Sequence, residues 1–284
     1  MKIEQLIKDA LKEDIGKGDI TTRSLFPKPK HITARIIAKE KGILVGLSVV
    51  EMVFKAIDKK IKITRKVREG RPVRPGITVC VIRGRADKVL AGERVALNFI
   101  ARLSGIATLT NKYVNRIKPY KAKILDTRKT TPLLRSLEKY AVRVAGGHNH
   151  RMGLWDRVLI KDNHKAVASS QFPVPSLKKM VASLRKKTKK KIEVEVESLR
   201  EFKEALKAGP DIIMLDNMNL HDIKRAVKIR NKLVTGNRQL VTKLEASGGI
   251  TLDNIRDIAK AGVDFISVGS LTHSVKSIDF SLEA

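Results

Sequence analysis

The chain has 284 residues, 42% of them hydrophobic and 31% charged, with a formal net charge of +30. That composition excludes a disordered or low-complexity protein, and no apolar run approaches the roughly 20 residues of a membrane helix. The single cysteine, Cys80, rules out an intrachain disulfide and a cysteine-based zinc cluster, and it fits a reducing compartment, the cytoplasm.

The amino terminus reads as an amphipathic helix, with apolar residues at 3, 6, 7, 10 and 11 on one face. Charges interrupt it too often for a signal peptide. EDIGKGDITT (13–22) ends it with two glycines. Residues 31–85 hold short β-type runs, HITARIIAK, GILVGL, IKITRKV and ITVCVIRG, separated by turns such as EGRPVRPG. One helical stretch, SVVEMVFKAI, lies among them, so a small α+β domain is expected over residues 1–112. The span ADKVLAGERVALNFIARLSGIATLTNKYVNRI is strongly helical and leads into the second half.

From residue 120 the rhythm changes. Six apolar runs, KILDTRK, RVLIKDN, KIEVEVES, DIIMLDN, KLEASGG and DFISVGS, each end in polar or glycine residues and precede a helix-like span. Strand and helix alternating at this spacing make parallel βα units. Six units are fewer than the usual eight, so residues 113–273 are expected to form an open, incomplete α/β barrel with its active site at the strand carboxyl ends. The densest basic patch, Arg185–Lys191, closes a helical pattern and reads as a solvated helix end whose cations offset the dipole.

In-register parallel strands would bring their terminal residues to one mouth. That mouth would hold Arg128 and Lys129, Lys161 and Asp162, Glu195, Asp216, then Ser247, Gly248, Gly249, Gly269 and Ser270. Glycine lets backbone N–H groups approach an anion, and late βα loops are frequent phosphate sites. SGG alone is commonly a turn; its recurrence as SGGI and SVGS at consecutive strand ends favours phosphate. In KIEVEVES, Glu193, Glu195 and Glu197 alternate with apolar residues. On a barrel strand covered outside by helices they face the lumen or mouth. A carboxylate there, beside Asp216, could hold Mg²⁺, accept hydrogen bonds from sugar hydroxyls, or serve as a general acid or base. The histidines of HNH (148–150) and His164 suggest zinc, but Arg143, Arg151 and Lys161 among them repel cations. So cationic a site better matches a ligand with several carboxylates or phosphates.

The run DTRKTTPLLRSLEKYAVRVAGGHNHRMGLWDRVLIKDNH closely resembles the central signature of the quinolinate phosphoribosyltransferase family. EDIGKGDITT, GERVALNFIARLSGIAT, VEVESLREFKEALKAGPDIIMLDN, LEASGGITLDNI and VDFISVGSLTHS extend the likeness over essentially the whole chain. The resemblance implies an amino-terminal α+β sandwich domain, an open α/β barrel of about six strands, and a homodimer. It implies quinolinate and phosphoribosyl pyrophosphate as substrates, with Mg²⁺. The tail, 274–284, would return to the first domain. Carried over by position, Arg128, Lys129, His150, Arg151 and Lys161 would hold the quinolinate carboxylates, with Arg94 reaching in from the partner subunit. Glu195 and Asp216 match the acidic positions near the ribose and Mg²⁺, and Ser247, Gly248, Gly269 and His273 match the 5′-phosphate site. Lys129, Lys161, Glu195 and Asp216 are the catalytic candidates; either lysine could deliver a proton after decarboxylation. Two departures concern loops: Leu134 in TTPLLR and Ala145 in VAGG stand where the family usually has glycine.

Two rivals have distinct signatures. A nicotinate phosphoribosyltransferase would need fewer cations, because its substrate lacks the second carboxylate. A nucleic-acid-binding protein would account for the charge, but aromatic residues are only 4% and it gives no reason for carboxylates and glycines to gather at strand ends. Nucleic acid is therefore expected as a nonspecific partner at most.

Overall fold

The apolar positions spaced three and four apart form one face of α1 (Ile3–Ile15), where Ile7 and Leu11 are buried. The structure is a computed structural model and describes residues 2–28, 30–170, 176–234 and 242–284. Gly16 ends α1 at φ 52°, in the region that costs L-residues a steric clash. Asp19 then starts α2 (Ile20–Leu25), accepting the Thr22 N–H at 2.9 Å. There follow β1 (His31–Ala38), β2 (Gly42–Ile43), α3 (Leu47–Ile57), β3 (Lys62–Arg65), β4 (Pro72–Val73), β5 (Thr78–Arg85) and the long α4 (Ala86–Arg116). GILVGL supplies only β2 to a sheet, because Gly46 takes φ 117° and the chain turns into α3 at Leu47. Leu44 and Val45 are still fully buried.

The second half runs β6 (Lys123–Leu125), α5 (Arg135–Val144), β7 (Val158–Ile160), α6 (Asp162–Ser169), α7 (Leu177–Lys187) and β8 (Ile192–Val196). It continues with α8 (Leu199–Ala208), β9 (Ile212–Asp216), α9 (Leu220–Val234), β10 (Lys243–Ser247), α10 (Ile255–Lys260), β11 (Phe265–Ser267), α11 (Ser270–His273) and β12 (Phe280–Glu283). All six predicted parallel strands are present.

The chain divides into two compact units. The first takes residues up to 111, 130–146 and 271–284. Its antiparallel sheet has the order β12-β1-β5-β3, so the carboxyl terminus pairs with β1, Ala38 opposite Phe280 and Arg35 opposite Glu283. Its core includes Ile36, Phe54 and Ile82, each fully buried and each contributing about 1.5–3 kcal/mol through the hydrophobic effect. Burial also pushes the Cys80 thiol up to about 12, the state of an inert core residue. Membership of 130–146 in this unit differs from a single cut at residue 112. The cause is a pair of contacts distant in sequence: Tyr140 of α5 donates its hydroxyl to Glu69, and Glu138 pairs with Arg102 of α4 at 2.8 Å.

The second unit holds residues 112–129 and 147–270 around an all-parallel sheet of order β6-β11-β10-β9-β8-β7. Among the described residues β6 and β7 do not pair with each other, so the sheet is open. Every residue of β8 is buried, as expected of a strand with helices outside and a filled lumen inside. No helix among the described residues is long and apolar enough to cross a membrane.

The loop departures resolve differently from the sequence expectation. Leu134 lies at φ −90° and Ala145 at φ −84°, so neither site demands glycine. The left-handed residue is Leu133, at φ 66° and 69% exposed. A leucine there costs about 1–2 kcal/mol, partly recovered because it restricts the unfolded chain more than glycine does. Leu133→Gly is expected to gain up to about 1 kcal/mol and raise Tm by roughly 2 °C in a melting experiment, while Leu134→Gly lowers it.

Candidate active site

Asp126, fully buried just beyond β6, organises the first side of the strand-end mouth. Its N–H donates to the His148 carbonyl at 3.1 Å, and its carboxylate accepts the His150 N–H at 2.9 Å. Leu125 and His148 also form a parallel bridge. The HNHR segment is thereby stitched beside the loop carrying Arg128 and Lys129. Arg151 is 5% exposed, and burial together with the neighbouring Arg128 cation holds its guanidinium below the ordinary value. Arg128 is half-buried and Lys129 exposed. Arginines gathered against their own repulsion are what a binding site for a multiply charged anion presents.

Lys161 follows β7 directly and caps α6; its ammonium donates to Glu195 Oε2. Lys165, one turn on, donates to the Glu195 carbonyl at 3.2 Å and to Glu201 at 2.6 Å. Glu195 is 4% exposed, so its charge is offset inside the fold by Lys161. Asp216 ends β9 opposite Ser247, the end of β10. Asn217, at φ 52°, links the two loops: its N–H donates to the Ser247 carbonyl at 2.9 Å and its amide to Asp216 Oδ2 at 2.9 Å.

Gly248 packs against that same Asn217. A Cβ at Gly248 would lie 2.1 Å from Asn217 Oδ1 and 2.8 Å from its N, and the residue sits at φ 83°. Gly249, at φ 60°, is held through its carbonyl by the Asn254 amide at 2.8 Å. Asn217, Ser247, Gly248, Gly249 and Asn254 line a cavity of about 300 Å³. Gly269 follows β11, where the Val268 N–H donates back to Leu125 of β6 at 2.9 Å. The parallel sheet thus gathers Arg128, Lys129, His150, Arg151, Lys161, Glu195, Asp216, Ser247, Gly248 and Gly269 at its carboxyl edge or in the adjoining segments. Arg94, exposed on α4, and His273, exposed at the end of α11, belong to the first unit.

The family model described as "Quinolinate phosphoribosyl transferase, C-terminal domain" matches residues 106–283, and its N-terminal counterpart matches residues 19–104. The chain belongs to the quinolinate phosphoribosyltransferase family. It is 40% identical over 283 residues to a probable nicotinate-nucleotide pyrophosphorylase [carboxylating] of Bacillus subtilis, covering 100% of this chain and 93% of that protein. The corresponding protein of Methanocaldococcus jannaschii is 42% identical over 98% of this chain and 96% of its own length. The solved nicotinate-nucleotide pyrophosphorylase of Francisella tularensis superposes with a TM-score of 0.89 at 41% identity, covering 99% of this chain and 95% of that one.

Several residues at the mouth and in the lumen have roles that no motif signals. Asp126 and Asn217 act through backbone hydrogen bonds, which residue type does not disclose. Arg157 and Glu245 stand singly in WDRVLIK and KLEASGG, and only the folded sheet brings them to Glu193 and His150. A carboxylate between the buried Leu244 and Ala246 was the available signal at Glu245.

Proposed function

We propose that this protein transfers the phosphoribosyl group of phosphoribosyl pyrophosphate to quinolinate with decarboxylation, giving nicotinate mononucleotide, pyrophosphate and CO₂ for NAD synthesis. The observation that carries this reading is the buried Arg151 beside Arg128, with Lys161 across the same sheet edge. A pyridine dicarboxylate supplies two anionic groups to such a set, where nicotinate supplies one.

Arg128, Lys129, Arg151 and Lys161 hold the quinolinate carboxylates, with His150 behind them. The glycine loops at Ser247–Gly248 and Gly269 hold the 5′-phosphate. The pyridine nitrogen attacks C1 of the ribose as its bond to pyrophosphate breaks, through an oxocarbenium-like state. Glycosylation leaves that nitrogen cationic, so the carbanion formed when the adjacent carboxylate departs as CO₂ lies next to positive charge. A proton from water or from Lys129 or Lys161 completes the product. The chain's contribution is orientation and electrostatics.

Glu195 and Asp216 supply the carboxylate oxygens that Mg²⁺ takes, so these two residues would hold the ion. Asp216 is the more available of the two, because Glu195 already accepts from Lys161. When bound, Mg²⁺ offsets charge on the pyrophosphate. The same reading makes the enzyme a cytoplasmic homodimer in which Arg94 serves the mouth of the partner subunit.

Incubation with carboxyl-labelled quinolinate, phosphoribosyl pyrophosphate and Mg²⁺ is expected to release labelled CO₂ and yield nicotinate mononucleotide by mass. Turnover of nicotinate without CO₂ release from quinolinate would overturn the reading. The phosphate loop gives a second expectation. Gly248→Ala drives a methyl group into Asn217 and raises the KM for phosphoribosyl pyrophosphate by about tenfold or more, with the quinolinate KM changed far less.

A further inference from the structure

Beneath the cations, inside the parallel sheet, lies a second polar group that the reaction above does not use: Glu193 of β8, Glu245 of β10 and Ser267 of β11, against the His150 ring. Glu193 and Glu245 are fully buried and His150 is 6% exposed. Glu193 Oε2 lies 3.1 Å from His150 Nε2 and 3.1 Å from a guanidinium nitrogen of Arg157. Both of those residues lead to Arg151. The Arg151 N–H donates to His150 Nδ1 at 2.8 Å, and the Arg151 guanidinium donates to the Arg157 carbonyl at 3.1 Å.

These bonds fix the tautomer. Nδ1 accepts, so the ring proton of neutral His150 sits on Nε2, facing Glu193. Glu245 completes the arrangement from below. Its Oε1 accepts from the Ser267 hydroxyl at 2.6 Å. Its Oε2 and Glu193 Oε1 are both buried with no hydrogen-bond partner as bare acceptors, and His150 Nε2 meets Glu193 Oε2 as a 3.1 Å polar contact that is out of line for a hydrogen bond. A single proton on Glu245 turns two opposed acceptors into a donor and an acceptor. Burial and the Glu193 charge push Glu245 well above the ordinary carboxylate range.

We propose that Glu193 is a positioning residue for quinolinate: through His150 and Arg157 it grips both the backbone and the guanidinium of Arg151, and Glu245 steadies it from below by donating a hydrogen bond. This rests on the assignment of Arg151 to a quinolinate carboxylate. It also gives His150 a different task from the one the family resemblance implied, since the ring acts on the substrate by way of Arg151. Ligand-type atoms of His150, Glu193 and Glu245 lie within 4.8 Å of one another, a spacing that would suit a metal ion. A protonated Nε2, however, has no lone pair to offer, and Arg157 already brings positive charge to Glu193.

Two measurements test the grip. Nitrogen-15 NMR of the ligand-free wild-type enzyme, with the His150 signals assigned by their loss in His150→Gln, is expected to show the Nε2–H tautomer at neutral pH. An Nδ1–H ring or an imidazolium overturns the proposal with no substrate involved. In steady-state kinetics Glu193→Gln is expected to raise the quinolinate KM by about tenfold or more, with the phosphoribosyl pyrophosphate KM within about twofold of wild type. Glu245→Gln, whose amide can donate as a neutral carboxyl does, should raise the quinolinate KM several-fold less. Equal effects of the two variants, or equal losses for both substrates, overturn the proposal. If Arg151→Ala leaves the quinolinate KM unchanged while the tautomer is as expected, the substrate assignment fails instead. The NMR result stands even if Glu193→Gln or Glu245→Gln does not fold.

Discussion

Replacing Arg128 with alanine is expected to raise the KM for quinolinate by about 10- to 100-fold, the loss of a charge-assisted hydrogen bond worth about 1.5–3 kcal/mol. The KM for phosphoribosyl pyrophosphate should stay within about twofold of wild type. The physical ground is the division of labour along the sheet edge. Arg128 leaves β6 beside Arg151, whereas the glycine loops follow β10 and β11. Burial is the main cause that holds Arg151 below its ordinary value, and removing Arg128 relieves the repulsion that adds to it, so Arg151 alone can still hold one carboxylate. Arg128→Ala should therefore discriminate poorly between quinolinate and nicotinate, because the second carboxylate has lost its main partner. Lysine at the same position should recover only part of the affinity, since it supplies the charge without the planar fork. Initial-rate kinetics on both pyridine acids check this, and unchanged quinolinate kinetics would remove Arg128 from the site.

The strand ends could be read from the sequence because each apolar run stops at a polar or glycine residue and is followed by a helical span. A parallel sheet then leaves little freedom over where Arg128, Lys161, Glu195, Asp216 and Ser247 go. The lumen was less legible. Alternation in IEVEV puts Glu193 and Glu195 on the same face, but their fates depend on which strands lie near β8. Glu245 comes from β10, two strands away across β9, and the sheet order that makes them partners appears in no local pattern. The turn after Lys129 failed for another reason. Residue type suggested that Leu134 mattered, whereas the positive φ falls at Leu133, and the sign of a dihedral is set by how the chain enters α5. Segment 130–146 belongs with the first unit because of contacts made 36 and 71 residues away, Glu138 with Arg102 and Tyr140 with Glu69.

That segment carries the largest expected effect on stability. Glu138 is fully buried, and its carboxylate accepts from Arg102 at 2.8 Å and from the Thr131 N–H at 3.2 Å. The Arg102 guanidinium also reaches the Thr131 hydroxyl at 3.2 Å and the Thr272 carbonyl, so one ion pair ties α4, α5, the turn after Lys129 and the end of α11. Removing one partner of a buried pair costs about 3–5 kcal/mol, because the other charge is left uncompensated. The two partners differ in how well water can rescue them: the Arg102 side chain is 25% exposed and that of Glu138 is 0% exposed. Arg102→Ala strands the carboxylate with no access to solvent and should lie at the upper end of that range, a fall in Tm on the order of 10 °C. Glu138→Gln keeps an acceptor for Thr131 and leaves an arginine that can turn toward water, so its loss should be smaller by about 1–2 kcal/mol. Paired thermal melts decide between this ordering and its reverse. A larger loss for Glu138→Gln would mean that the carboxylate's hydrogen bonds to the turn, and not the stranded charge, set the cost.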